Sequence, residues 1–66
     1  MEDKIEKRIL NCAKYIVDTH ATVRTTALFF GIGKSTVHND MQVKLKDIDP
    51  DLYLEVKSVL KENKQF

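Results

Sequence analysis

Both glycines of the chain lie within three residues of each other, at Gly31 and Gly33, and apolar residues recur at helical spacing on either side. Before them, Val23, Ala27 and Phe30 share one helical face, and Thr22 stands where a side-chain oxygen can cap the first turn. Gly31 follows the last apolar residue, where a helix commonly ends in the left-handed conformation that glycine adopts cheaply. After them a second helix can start around Lys34, with Val37, Met41 and Leu45 on one face. Ala27, small and four residues before Gly31, permits two helices to approach closely. The pattern predicts two short helices at 23–30 and 34–45 joined by a three- to four-residue turn, a helix-turn-helix over about 22–45.

Gly33-Lys34-Ser35 also matches the end of a nucleotide-binding phosphate loop, which requires a further glycine five residues before Gly33. Leu28 stands there. A side chain at that point resists the backbone conformations that wrap amides around an anion. The eight residues from Val23 to Phe30 lack the alternation of a strand, so the nucleotide reading fails.

The rest of the chain is helical as well. Ile5, Ile9, Cys12, Ala13, Ile16 and Val17 form one stripe over residues 2–18, and His20-Ala21 is a short connector. Asp49 caps a last helix with Pro50 at its first position, where the missing N–H costs nothing; Leu52, Val56, Val59 and Leu60 are its apolar face. The fold class expected is all-α, a small bundle of about four helices forming a single domain over 1–66. Sixty-six residues place the core near the lower limit for independent folding. The sole cysteine, Cys12, cannot form an internal disulfide and reads as a small core residue. Cys12 and His20 alone make no metal site. No apolar run approaches the roughly 20 residues of a membrane span, and the charged N-terminus lacks a signal-peptide core. The expectation is a cytoplasmic protein with no membrane association.

The formal net charge is only +1, but it is unevenly distributed. Residues 1–20 balance, and residues 47–66 sum to −2. Residues 21–46 carry Arg24, Lys34, Lys44 and Lys46 against Asp40 alone, an excess of +3. A positive excess on the proposed two-helix unit is the footprint that phosphate attraction needs.

Tyr15-Ile16-Val17, Thr22-Val23-Arg24, Gly31-Ile32, Lys34-Ser35-Thr36-Val37-His38 and Asp40 together resemble the stage III sporulation protein D family. The similarity continues through Ile48, Asp49-Pro50-Asp51-Leu52 and Glu55-Val56-Lys57, nearly the whole chain. These are small helix-turn-helix transcriptional regulators of endospore-forming bacteria. The resemblance implies sequence-specific binding of double-stranded DNA, with some genes activated and others repressed in the mother cell during sporulation. It makes RNA polymerase a candidate protein partner and implies no cofactor. The chain departs from the pattern at four places. Thr26 stands where an aliphatic residue is usual, predicting a looser core. Gly33 replaces a small hydroxyl residue, removing a side-chain cap. Leu28 and Phe29 replace polar residues. The family also carries a basic segment beyond the last helix, whereas this sequence ends at Phe66.

In such motifs the N-terminal part of the second helix enters the major groove. With Val37, Met41 and Leu45 inward, Ser35, Asn39 and Gln42 face outward, flanked by Lys34 and His38. Asn39 can pair bidentately with adenine and Lys34 can donate to guanine; Ser35 and Thr36 can bond bases or phosphates. His38 and Gln42 complete the base-reading set. Thr22, Arg24, Thr25, Lys44 and Lys46 are the candidate phosphate contacts. The N–H groups at Lys34-Ser35 also favour a nearby phosphate. Asp40 reads as structural, paired with a neighbouring Lys or Arg, because a carboxylate facing phosphate would repel it. Tyr15, Phe30 and Tyr53 read as packing at the core or its edge. Phe29 lies nearly opposite Ala27, so either another helix covers it or Leu28 and Phe29 form a contact for a second copy or a partner; intramolecular cover is the favoured reading. A competing reading keeps the scaffold as a protein-interaction module. No combination of acid, base and nucleophile suggests an enzyme.

Overall fold

The computed structural model describes residues 2–63, with side chains from Lys4 onward. The departure from the family pattern past the last helix concerns residues outside these. Four helices account for the fold, and no strand occurs among the described residues. Helix α1 spans Glu2–Thr19, α2 Val23–Phe30 and α4 Pro50–Glu62. Between the last two, α3 runs unbroken over 34–48. It is α-helical over Lys34–Asn39, π-helical over Asp40–Lys44 and α-helical again over Leu45–Ile48.

The helix ends follow from their capping residues. Thr22 is extended, and its Oγ1 accepts the Thr25 N–H at 3.1 Å. At the other end of α2, Gly31 is left-handed at φ 68°. The Ile32 N–H reaches back to Ala27 O and the Gly31 N–H to Leu28 O, a paired closure that satisfies two terminal carbonyls. Asp49 Oδ1 accepts the Leu52 N–H at 3.1 Å, with Pro50 opening α4. Helix α1 ends instead at His20, which takes a left-handed φ of 56° without being glycine. Asn63, just past α4, donates its side-chain N–H to the His20 carbonyl at 3.0 Å, and His20 Nδ1 lies 3.4 Å from Glu62. The α1–α2 corner is thereby tied to the end of α4.

The core collects Ile9, Cys12, Ala13 and Ile16 from α1, Val23 and Ala27 from α2, Val37, Met41 and Leu45 from α3, and Val56, Val59 and Leu60 from α4. Phe30, Leu52, Val17, Ile48, Tyr53 and Ile32 pack against its edge. Two expectations are corrected. Ile5 belongs to the α1 stripe by spacing but is 46% exposed, because it lines a shallow groove that α1 and α3 leave open between them. Thr26 does not loosen the core. It is fully buried, and its hydroxyl donates to Thr22 O at 2.8 Å, so no polar atom is stranded. Helix α3 also continues three residues past the expected Leu45.

The π-helical stretch has a packing consequence. Four residues of α-helix overshoot a full turn by about 40°, so Val37, Met41 and Leu45 would spread over about 80°. In the stretch the Leu45 N–H donates to Asp40 O, five residues back. The wider turn takes up the extra residue and brings Leu45 back toward the line of Val37. All three side chains have no exposed surface.

Candidate nucleic-acid interface

Gly33 opens α3 in an extended conformation, φ −72° and ψ 145°, with no side-chain cap. Its own carbonyl accepts the Val37 N–H at 3.1 Å. Over the next six residues only Val37 turns inward. Lys34, Ser35, Thr36, His38 and Asn39 are all exposed, a polar face of donors and acceptors on a helix anchored from below by Val37, Met41 and Leu45. These are five of the six side chains expected to read bases.

Gln42, the sixth, is set differently. It is half-buried, and its Nε2 lies 3.1 Å from His38 Nε2. The amide donates to that ring nitrogen when it carries no proton, and the tautomer decides the roles. His38 and Gln42 thus act as a linked pair four residues apart.

The expected phosphate contacts are not placed alike. Arg24 is exposed on the first turn of α2. Thr22 and Thr25 are occupied with each other: besides capping, the Thr22 hydroxyl donates to Thr25 Oγ1 at 3.0 Å. Lys46 is exposed near the end of α3. Lys44 is also exposed, but its Nζ lies 3.8 Å from Asp40 Oδ1, so it leans toward its own helix rather than away from it.

Asp40 is 1% exposed. Arg8 of α1 donates from Nη2 to its Oδ2 at 2.8 Å, across 32 residues of sequence. Asp40 therefore has the structural role its sign suggested, and the partner is one that sequence reasoning missed. The only sequence signal for Arg8 is a cation at the margin of an apolar stripe. Cys12 is buried as expected; its thiol is pushed up from the ordinary 9.0 by burial and by the Asp40 charge, against the opposing effect of Arg8.

Phe29 departs from the favoured expectation of intramolecular cover. Tyr15 stacks on it at 4.5 Å between ring centroids, and Phe30 meets it edge-on at 5.0 Å. The ring nonetheless stays 66% exposed and Leu28 75%. Tyr15 of α1 covers one face of the ring, which leaves most of the rest to solvent. A shallow apolar groove of about 280 Å³ lies elsewhere, between Ile5, Glu6 and Ile9 of α1 and Lys44, Asp47 and Ile48 of α3. Among the described residues no three His, Cys, Asp or Glu side chains converge as a metal site, and no helix is long and apolar enough to cross a membrane.

The family model described as stage III sporulation protein D matches residues 2–66. The chain is 48% identical over 66 residues to the stage III sporulation protein D of Bacillus subtilis (strain 168), covering 100% of this chain and 71% of that protein. No solved structure gives a significant match. A family match over nearly every residue and close to half the positions identical establish descent: the chain belongs to the stage III sporulation protein D family.

Proposed function

We propose that this chain is a sequence-specific regulator of sporulation genes that binds double-stranded DNA through a helix-turn-helix formed by α2 and α3. The observation that carries the proposal is the face made by Lys34, Ser35, Thr36, His38 and Asn39, five exposed polar side chains on a segment whose other residue, Val37, is wholly buried. A rigid helix presenting donors and acceptors at i and i+4 suits base edges in a major groove. Asn39 pairs with adenine, and Lys34 and Ser35 meet guanine or a flanking phosphate. His38 and Gln42 read as a linked pair. Arg24, Thr25 and Lys46 hold the duplex backbone, with Thr22 fixing Thr25 and Lys44 contributing its charge from beside Asp40. The protein acts in the mother-cell cytoplasm, on the nucleoid.

The test begins by selecting duplexes from a random pool with the wild-type chain. Asn39→Ala is expected to lose about 1–3 kcal/mol on the selected site and to relax preference at one base pair. Lys46→Ala is expected to weaken all sequences alike and to shallow the salt dependence by about one unit. Equal losses on selected and random duplex for both variants would defeat this division.

The exposure of Leu28 and Phe29 favours a second use of the same scaffold, a protein contact toward a second copy or toward RNA polymerase. Sedimentation of wild type and Phe29→Ser addresses self-association. A wild type that stays monomeric at high concentration removes it.

A further inference from the structure

Arg8 belongs to none of the groups assigned to DNA, yet among the described residues it makes the one ion pair between α1 and the reading helix. Its Nη2 donates to Asp40 Oδ2 at 2.8 Å, and the carboxylate is almost fully removed from water. The residue it holds is the one at which α3 changes character. Asp40 opens the π-helical stretch, and its carbonyl accepts the Leu45 N–H that closes the widened turn. Asn39, the residue before it, is the last of the exposed reading face.

We propose that Arg8 is a positioning residue for base recognition: by gripping Asp40 it fixes the widened turn of α3 and thereby the rotation of the Lys34–Asn39 face relative to Lys46 and the rest of the protein. The inference rests on the DNA-reading role of α3. The physical argument is one of phase. The side chains of 34–39 follow α-helical spacing, whereas those after Lys44 are displaced by the extra residue taken up in the π turn. Base-reading and backbone-holding groups on the two sides of that turn can engage one duplex together only while the turn keeps its width. A buried carboxylate with a fixed partner on another helix selects that width, since a regular α-helical turn would carry Asp40 or Leu45 away from its contact. The grip is single-point. Arg8 Nε is buried with no hydrogen-bond partner, so the guanidinium does not bind in the bidentate manner that only arginine provides.

Three variants test this: Arg8→Lys, which keeps a cationic donor; Arg8→Met; and Arg8→Met with Asp40→Leu, which exchanges the ion pair for an apolar one and leaves no stranded charge. Each is titrated onto the duplex selected by the wild type and onto a random duplex over a range of salt. Amide exchange of Leu45 is followed in the free protein. The folded double variant is expected to lose about tenfold in the ratio of selected to random affinity. Its random-duplex affinity and salt slope should stay, and its Leu45 amide should exchange faster than those of Val56 and Leu60. Arg8→Lys should recover most of the ratio. An unchanged ratio in a folded variant overturns the proposal. So does a salt slope reduced by about one unit, which would make Arg8 a phosphate contact itself. A wild type without salt-dependent duplex binding would remove the DNA reading and this inference with it. The Leu45 exchange would then still report whether Arg8 holds the turn, which separates the two failures.

Discussion

Removing either end of the Arg8–Asp40 pair breaks the same 2.8 Å contact, but the two losses are expected to differ severalfold, because the two side chains are unequally buried. The Asp40 carboxylate is 2% exposed and the Arg8 guanidinium side chain 35%. Arg8→Met leaves the carboxylate in place, cut off from water, with Lys44 at 3.8 Å as its remaining cation. Stranding a buried charge costs about 3–5 kcal/mol; allowing Lys44 to swing closer reduces this to about 2–3 kcal/mol. Asp40→Leu leaves a guanidinium that can turn to solvent, so the loss is about 0–1 kcal/mol. The double variant, with neither charge, should lie within about 1 kcal/mol of wild type. The cycle therefore predicts a coupling of about 2–3 kcal/mol.

Urea unfolding followed by helical circular dichroism measures all four species. A domain of this size rarely has more than about 3–5 kcal/mol to lose. With a denaturant slope of about 1 kcal/mol/M, Arg8→Met should lower the midpoint by about 2–3 M and remain measurable. Raising the salt concentration should change the coupling little, since the buried partner is poorly screened. Equal losses for the two single variants, or a coupling below about 0.5 kcal/mol, would show that Asp40 is solvated in solution and would refute the reasoning from burial.

Gly33→Ser should stabilise the fold by roughly a few tenths of a kcal/mol, because the backbone is already in the capping conformation. An added Cβ meets nothing closer than Thr36 Oγ1 at 3.6 Å, and Gly33→Ala, which fills the same space without a cap, should not stabilise; thermal melts of both decide. His20→Gly should raise stability by up to about 1 kcal/mol, since it relieves a left-handed side-chain-bearing residue while keeping the backbone carbonyl that Asn63 grips; a lower melting temperature would place the larger contribution in the His20–Glu62 contact. The raised thiol pKa of Cys12 means that the native state keeps its proton at pH values where the unfolded chain has lost it. Stability should therefore be unaffected by this group below pH 9.0. Above that it should fall by at most about 1.4 kcal/mol per pH unit, until the native thiol itself ionises. Unfolding titrations of wild type against Cys12→Ala isolate that alkaline loss, and parallel curves would contradict it.

What was legible in the sequence is what neighbouring residues decide among themselves. Thr22, Gly31 and the Asp49-Pro50 pair each satisfy backbone groups within five residues of their own position, so the ends of α2 and the start of α4 could be placed from local chemistry. The outward face of Lys34–Asn39 followed in the same way from the inward spacing of Val37 and Met41. Ile5 shows where this stops: its spacing is right, but how closely α3 packs against the first turns of α1 is a matter of the whole bundle. Thr26 shows the converse, a hydroxyl that looks wrong for a core until the carbonyl four residues earlier accepts its proton. Arg8 and Asp40 stand 32 residues apart, and neither residue's own neighbourhood announces the other. Yet the widened turn that starts at Asp40 left a trace. Val37, Met41 and Leu45 recur at equal intervals of four, a series that drifts in one direction along an α-helix and that the π turn draws back together. In this chain the series of fours stays wholly buried because its phase is corrected partway along, at the turn that begins where Asp40 meets Arg8.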